Sequence, residues 1–112
     1  ISVLSGDDSL TLPMMAVGAD GVVSVAANVA PAPVAALCAA AAAGDYAAAR
    51  KEHYNLARLF KAMFLETNPM PVKAALARMG IIKNNLRLPL VPLGEHHYAE
   101  LDAVLRALSL IG

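Results

Sequence analysis

A run of mostly β-branched residues, Gly21-Val22-Val23-Ser24-Val25-Ala26, is apolar on both faces of the strand that it predicts. A strand with two apolar faces must be covered on both sides, which is typical of parallel sheets flanked by helices. An alanine-rich helix follows this run. Before it, the apolar stretch Ile1–Leu4 leads into a Gly-Asp turn and a short helix over residues 10–17, closed by Gly18. Residues 1–43 thus predict strand, helix, strand, helix, the order of an α/β fold. Two strands cannot form such a sheet alone.

The second half of the chain has a different character, and the composition changes near Gly44. Gly44-Asp45 combines a helix stop with a helix start. In the helix that follows, apolar residues recur at spacings of three and four, among them Ala49, Leu56 and Leu59, which predicts one buried apolar stripe. Asn68-Pro69 predicts another helix opening, with Asn68 as the cap and Pro69 at the first position. Residues 44–112 therefore predict a helical piece, with helices over residues 46–65, 69–80 and 95–110 and an extended, proline-containing loop over residues 86–93.

The composition indicates a folded chain that hides apolar surface against something else. Hydrophobic residues make up 58% of the 112 residues and charged residues 16%, which excludes a disordered tail. A soluble domain this small has much surface for its volume and should not be so hydrophobic. The net charge is zero, so there is no basic footprint for nucleic acid. The charges are nonetheless uneven, because residues 1–49 contain no Lys or Arg.

The uncharged stretch Gly21–Gly44 is long enough to span a bilayer, but its composition argues against a membrane partner. Alanine dominates it, and alanine gains little from lipid. We interpret it as a buried strand followed by a tightly packed alanine helix. The single cysteine, Cys38, cannot form a disulfide framework and is expected to be a small buried residue. With no basic region before an apolar core at the start, we expect no secretory signal and a cytoplasmic location.

Two adjacent carboxylates, Asp7 and Asp8, come directly after the first predicted strand. Ligands of parallel α/β sheets gather at the carboxyl ends of the strands, so this is a candidate site. The alternative is that one aspartate caps the helix and the other faces water. Gly6 allows a close backbone approach. Asn28, past the second strand, can bind a ligand or cap the next helix.

Other reactive side chains do not form a recognisable site. His53 falls on a helix, and His96 and His97 are adjacent near a helix start. Because neighbouring residues on a helix point apart, we predict no metal site. Lys73 lies early in a capped helix, where a packing or solvated role is expected rather than a Schiff base. The sequence predicts no nucleophile and no cofactor.

Four motifs in order nevertheless resemble a known family. They are Leu4-Ser5-Gly6-Asp7-Asp8, Gly21-Val22-Val23-Ser24-Val25 with Asn28-Val29, Asn68-Pro69-Met70-Pro71-Val72-Lys73, and Leu86-Arg87-Leu88-Pro89-Leu90. Together they resemble the C-terminal portion of dihydrodipicolinate synthase, a pyruvate-dependent class I aldolase relative. The resemblance covers essentially the whole chain. It implies the last two strands of a (β/α)8 TIM barrel in residues 1–43 and a helical C-terminal domain in residues 44–112.

The resemblance also implies a lyase activity. Such enzymes condense pyruvate, held as a Schiff base on a barrel lysine, with aspartate semialdehyde in lysine and diaminopimelate biosynthesis. The catalytic residues lie on earlier strands, so none is expected here. Val23 matches a position whose backbone lies against pyruvate. Gly6 and Asp7, with Asp8, match a turn on the semialdehyde side.

The implied partners are the two small-molecule substrates, the N-terminal barrel segment and further copies of the subunit in a homotetramer. Relatives of the N-acetylneuraminate lyase and keto-deoxy-sugar aldolase types use the same Schiff base with other aldehydes. A non-catalytic helical assembly module is a further alternative, because the helices predicted over residues 46–65 and 95–110 could bind a partner helix.

Overall fold

The computed structural model describes all 112 residues, which form two compact units, residues 1–60 and residues 61–112. The first unit contains strands β1 and β2, helices α1 and α2, and most of α3. The second contains α4 and α5. The elements are β1 Leu4–Ser5, α1 Thr11–Ala16, β2 Gly21–Val22, α2 Pro31–Ala42, α3 Tyr46–Ala62, α4 Met70–Arg78 and α5 Tyr98–Ala107, with 3₁₀ turns at Asp8–Leu10, Ala26–Asn28 and Glu95–His97.

The predicted order of strand, helix, strand, helix in the first half is confirmed. β1 and β2 are parallel, with Leu4 opposite Gly21 and Ser5 opposite Val22. The strands are shorter than predicted, because the chain after Val22 turns into the 3₁₀ helix at Ala26–Asn28. Within this chain the expected burial of both faces is incomplete: Val22 is half-buried, and Val23, just past the strand, is 68% exposed. A two-stranded sheet has too few neighbours to cover it.

Helix α2 follows β2 and is apolar on every side. It buries Val34, Leu37 and Ala41, and α1 packs against it. Most of its other alanines are exposed. A helix that is hydrophobic all round normally lies inside a larger protein.

The junction between α2 and α3 forms as predicted at Gly44 and Asp45. Gly44 has a φ of +77°, a conformation that glycine adopts without the steric penalty of a side chain. The Asp45 carboxylate accepts a hydrogen bond from the Ala48 N–H at 3.0 Å, capping α3. The predicted apolar stripe of α3 is buried at Ala49, Leu56 and Leu59.

In the second unit, α4 begins one residue later than predicted. Pro69 occupies the N-cap position and no side chain caps the helix, so the predicted capping by Asn68 is wrong. Pro71 lies in the first turn, where the missing N–H costs no helical hydrogen bond. As the prolines predicted, residues 81–94 contain neither helix nor strand. The inner face of α5 buries Leu101 and Leu105.

No helix is both long enough and apolar enough to cross a membrane. The predicted domain division after residue 43 concerns a longer protein and stays a prediction. Within this chain, the division between the compact units follows Phe60, so most of α3 belongs with the strands.

Candidate functional site

The carboxyl ends of β1 and β2 lie on the same side of the sheet because the strands are parallel. We call residues 5–8 and 23–26, which follow these ends, the strand-end edge. In parallel α/β sheets this is where ligands bind. The structure thus brings Gly6, Asp7, Asp8 and Val23 to one edge of the sheet.

Asp8 is the buried centre of the strand-end edge. Its side chain is 3% exposed, and its carboxylate accepts hydrogen bonds from the Ser24 hydroxyl and from the N–H groups of Val25 and Ala26, at 3.0 and 2.9 Å for the last two. Asp8 therefore fastens the turn after β1 to the turn after β2. The alternative that one aspartate caps the helix while the other faces water is wrong for the second aspartate, because Asp8 is buried.

Asp7 is exposed and caps the 3₁₀ turn that leads into α1. Its Oδ1 accepts hydrogen bonds from the Ser9 N–H at 2.8 Å and from the Ser9 hydroxyl at 2.6 Å. The Ser9 hydroxyl, with help from the backbone N–H of Ser9, lowers the pKa of Asp7 below its ordinary value, and the slight burial opposes this only partly. The predicted capping aspartate is therefore Asp7.

Ser5 stabilises the turn after β1 from the buried side. It is fully buried, and its hydroxyl donates to the Asp7 carbonyl at 2.6 Å and accepts from the Asp7 N–H at 3.1 Å. The Ser5 hydroxyl therefore holds both the N–H and the carbonyl group of Asp7 in place.

Val23 and Gly6 offer free surface at the same edge. The Val23 N–H already donates to the Ser5 carbonyl at 2.9 Å, which leaves its carbonyl and side chain for contact with a ligand. A Cβ added at Gly6 would have no neighbouring heavy atom within 4 Å. The fold of this chain therefore does not require a glycine at position 6.

Asn28 does not cap the helix that follows it. It ends the 3₁₀ turn, and its side-chain amide donates to the Val25 carbonyl at 3.0 Å. The N-cap of α2 is Ala30. Asn28 therefore closes its own turn.

Comparison with known proteins assigns the chain to a family. The model of the dihydrodipicolinate synthetase family matches residues 1–108. The chain belongs to this family. It is 50% identical over 109 residues to the 4-hydroxy-tetrahydrodipicolinate synthase of Methanosarcina barkeri, covering 97% of this chain and 38% of that relative.

Solved structures of family members agree. The dihydrodipicolinate synthase of Aquifex aeolicus matches with a TM-score of 0.96 and 52% identity, over 98% of this chain and 38% of that one. The chloride-inhibited synthase of Acinetobacter baumannii, solved with pyruvate, matches with a TM-score of 0.96 and 41% identity, over 99% and 38% of the two chains. The chain thus spans about 38% of the length of these dihydrodipicolinate synthetase family members.

The lysines of this dihydrodipicolinate synthetase family chain lie at the surface. Lys51, Lys61 and Lys83 are exposed, and Lys73 is half-buried. The Lys73 Nζ donates a hydrogen bond to the Asn85 carbonyl, which ties α4 to the extended loop. The sequence predicts a packing or solvated role for Lys73, and this exposed hydrogen bond to the loop backbone agrees with it.

Cys38 lies on α2 and is half-buried rather than fully buried. Burial, together with the negative charge of Asp8, raises the pKa of its thiol. A thiol with a raised pKa is a poor nucleophile at neutral pH. Nothing about Cys38 supports a catalytic role in this dihydrodipicolinate synthetase family chain.

Two arrangements in this family member were not found from the sequence. The first is the hydrogen bond between Ser24 and Asp8. A hydroxyl residue two positions after β2, beside an acidic turn after β1, is the sequence pattern that would indicate this pair. The second is a cluster of Glu66, His96 and His97, whose ligand atoms lie within 4.8 Å of one another. The argument that adjacent histidines point apart is wrong here, since the rings of His96 and His97 are 4.0 Å apart.

Proposed function

We propose that the protein containing these 112 residues is a 4-hydroxy-tetrahydrodipicolinate synthase. It condenses pyruvate with aspartate semialdehyde in the biosynthesis of diaminopimelate and lysine. The single observation that carries this proposal is 50% identity across 97% of the chain to a relative of that name. The location of Val23 and Gly6 at one open strand-end edge supports it.

In this proposal, residues 1–43 supply the last two strands of a (β/α)8 barrel and residues 44–112 a helical C-terminal domain. The parallel pairing of β1 and β2 with a helix between them supports the barrel. The exposure of apolar side chains on and beside the strands also supports the barrel. Val3 and Leu4 are about half exposed, at 48% and 49%, and Val23 is 68% exposed. Neighbouring strands and helices of a barrel would cover such a surface.

We assign different roles to the residues of the strand-end edge. The Val23 backbone lies against pyruvate, and Gly6 and Asp7 line the semialdehyde side. Asp8 was also predicted for the semialdehyde side. Its carboxylate already accepts three hydrogen bonds from the turn after β2, so we propose that Asp8 positions Val23 and Gly6 rather than touching substrate.

The nucleophile of the proposed reaction lies outside this segment. A lysine amine and the pyruvate carbonyl form a Schiff base with loss of water, and the derived enamine attacks the aldehyde carbon to form the new carbon–carbon bond. The surface placement of Lys51, Lys61 and Lys83 and the tie from Lys73 to Asn85 support a nucleophile elsewhere. No cofactor takes part, and the enzyme is proposed to act in the cytoplasm.

Borohydride trapping tests the location of the nucleophile. The full-length protein is incubated with pyruvate, and hydride addition to the Schiff-base carbon converts it to a stable secondary amine that peptide mass spectrometry locates. The expected label lies on one lysine outside residues 1–112. Label on any of Lys51, Lys61, Lys73 or Lys83 contradicts the proposal.

A pair of variants tests the role of Val23. Val23→Ala changes the surface against pyruvate, and its effect should be a raised KM for pyruvate. Val17→Ala is the matched control, because Val17 is another exposed valine, 88% exposed at the end of α1. Equal kinetics for the two variants would show that the Val23 side chain does not shape the pyruvate site and would leave only a backbone contact there.

The same assays separate the alternatives. Activity with aspartate semialdehyde but not with N-acetylmannosamine or sugar aldehydes favours the synthase over lyases of the N-acetylneuraminate or keto-deoxy-sugar type. Native mass spectrometry should find four copies of a subunit of roughly 250 residues or more, as a complete barrel requires. A compact monomer of 112 residues without activity would instead favour the helical assembly module.

A further inference from the structure

The cluster of Glu66, His96 and His97 in the second unit has no part in the proposed synthase reaction. Glu66 comes from the segment between α3 and α4, and the two histidines come from the 3₁₀ turn before α5. The His97 Nε2 is 3.3 Å from the Glu66 Oε1. One ligand atom from each side chain lies within 4.8 Å of the others. The carboxylate of Glu66 and the imidazoles of two histidines about 30 positions later in the sequence therefore lie close together.

Gly94 makes this convergence possible. A Cβ at position 94 would lie 2.9 Å from the Glu66 Oε1 and 2.8 Å from the His96 Cε1. Both distances are too short for real contacts, so any side chain at this position would push two of the three groups away. The hydrogen bond from the His97 N–H to the Gly94 carbonyl, at 3.0 Å, fixes the turn around this gap.

The donor set fits a borderline divalent metal ion. Two imidazole nitrogens and one carboxylate oxygen suit Zn²⁺ and its first-row neighbours, whereas Ca²⁺ and Mg²⁺ prefer oxygen ligands. Ligand bonds of about 2.0–2.1 Å in a tetrahedron place neighbouring donors about 3.3–3.4 Å apart. The 3.3 Å between His97 and Glu66 matches that edge.

The third ligand, His96, needs only a small movement. The His96 side chain is exposed. The His97 side chain is 21% exposed and the Glu66 side chain is 26% exposed. This exposure leaves the His96 side chain free to rotate about its side-chain bonds toward the other two ligands. Solvent has access to complete the coordination.

We propose that Glu66, His96 and His97 form an open surface site for a first-row divalent metal ion of the zinc type. The bound ion would cross-link the segment before α4 to the start of α5 and so stabilise the second unit. This site is independent of the proposed synthase activity, since all three ligands lie in residues 61–112 and none of them has a role assigned in the reaction.

A simple ion pair between His97 and Glu66 is the competing explanation of the same geometry. The two explanations differ in what they require. An ion pair uses a protonated His97 and makes no use of His96. A metal site loses a ligand when His96 is replaced, and it competes with protons for both imidazoles.

Calorimetric titration of the chelator-stripped, full-length protein with ZnCl₂ provides the test. The wild type is compared with Glu66→Gln, His96→Gln and Gly94→Ala. Each variant should weaken one Zn²⁺-binding event by roughly 10-fold or more, because one of three protein ligands is lost or displaced. Glu100→Gln is the matched control, since Glu100 is an exposed glutamate on α5 outside the cluster. It should bind Zn²⁺ like the wild type.

Thermal unfolding and spectroscopy complete the experiment. Zn²⁺ should raise the Tm of the wild type and of Glu100→Gln but not that of His96→Gln. Substitution with Co²⁺ in the wild type should give the intense visible bands of a tetrahedral site, a readout that needs no variant. Zn²⁺ binding that is unchanged in Glu66→Gln or His96→Gln, or the absence of those bands at saturating Co²⁺, overturns the proposal.

Discussion

The carboxylate of Asp8 and the backbone N–H of Ala26 form a 2.9 Å hydrogen bond that joins the two strand-end turns. The same carboxylate accepts from the Ser24 hydroxyl and the Val25 N–H. Each turn leads into a helix. The Asp8 side chain therefore fixes the position of the two turns from which these helices start. Because Asp8 is almost fully buried, no water can replace it.

The first prediction concerns Asp8→Asn. An amide offers one acceptor oxygen where the carboxylate offers two, so at least one buried donor loses its partner. Each buried group left unsatisfied costs about 1–3 kcal/mol. We therefore expect the free energy of unfolding of the full-length protein to fall by about 1–3 kcal/mol, measured by urea denaturation.

Asp20→Asn is the control for this prediction. The Asp20 carboxylate accepts one exposed hydrogen bond, from the Val3 N–H at 3.0 Å. Water can replace that bond, so the expected loss is below about 1 kcal/mol. Equal losses for the two variants would show that the buried hydrogen bonds of Asp8 do not carry the stability assigned to them.

The second prediction concerns pH. The pKa of Asp7 is lowered in the folded state, first by the hydrogen bond from the Ser9 hydroxyl. A lowered pKa means that Asp7 adds stability above its ordinary pKa, and that this contribution is lost as the pH falls through the folded-state pKa. The stability gap between wild type and Asp7→Asn should therefore be present at neutral pH and close in acid.

NMR titration of the Asp7 side-chain carboxyl measures the same effect directly. Ser9→Ala removes the hydroxyl donor and should move the pKa of Asp7 back toward its ordinary value. Because Asp7 is exposed, solvent screens the interaction and the change in stability should be small. An unchanged pKa in Ser9→Ala would rule out the hydroxyl as the main cause.

The third prediction concerns the contact between α4 and α5. Arg78 donates to Asp102 from Nε at 3.0 Å and from Nη2 at 2.8 Å, and its guanidinium lies 4.9 Å from the centre of the Tyr98 ring. Lysine cannot form this forked pair or stack flat on the ring. Arg78→Lys should therefore lower the free energy of unfolding by about 0.5–1 kcal/mol, since the arginine is partly exposed.

Arg58→Lys is the matched control, because Arg58 is exposed on α3. Its expected effect is within about 0.5 kcal/mol of zero. A double-mutant cycle of Arg78→Ala and Asp102→Ala isolates the pair itself. A coupling energy of zero would mean that the forked hydrogen bonds add nothing to stability.

Much of this fold could be predicted because the signals are local. The Gly44-Asp45 junction and the apolar stripe of α3 depend on residues next to each other or one helical turn apart. The strand-end location of Asp7 and Asp8 also follows from local order. Capping by Asn68 was predicted from the same kind of signal and is wrong, because Pro69 takes the cap position.

The parts that were not predicted depend on distant contacts. The partnership of Asp8 with Ser24 spans 16 positions, and that of Glu66 with His97 spans 31. Neither pair has a spacing that a helix or a strand would repeat. The number of residues in each strand also depends on distant neighbours, since β2 needs another strand beside it to continue past Val22.

The last prediction concerns the 112-residue chain by itself. Its two-stranded sheet has edges with unpaired backbone groups, and Val3 and Val23 expose apolar side chains beside them. We expect this chain to self-associate at micromolar concentration and to bind the dye ANS, as measured by light scattering and fluorescence. Val3→Lys should reduce the association by placing a charge beside β1. Val17→Lys, at the end of α1 and away from the strands, should leave it unchanged. A chain that stays monomeric and melts in one cooperative transition would contradict the argument that these residues need a further part of the protein to cover them.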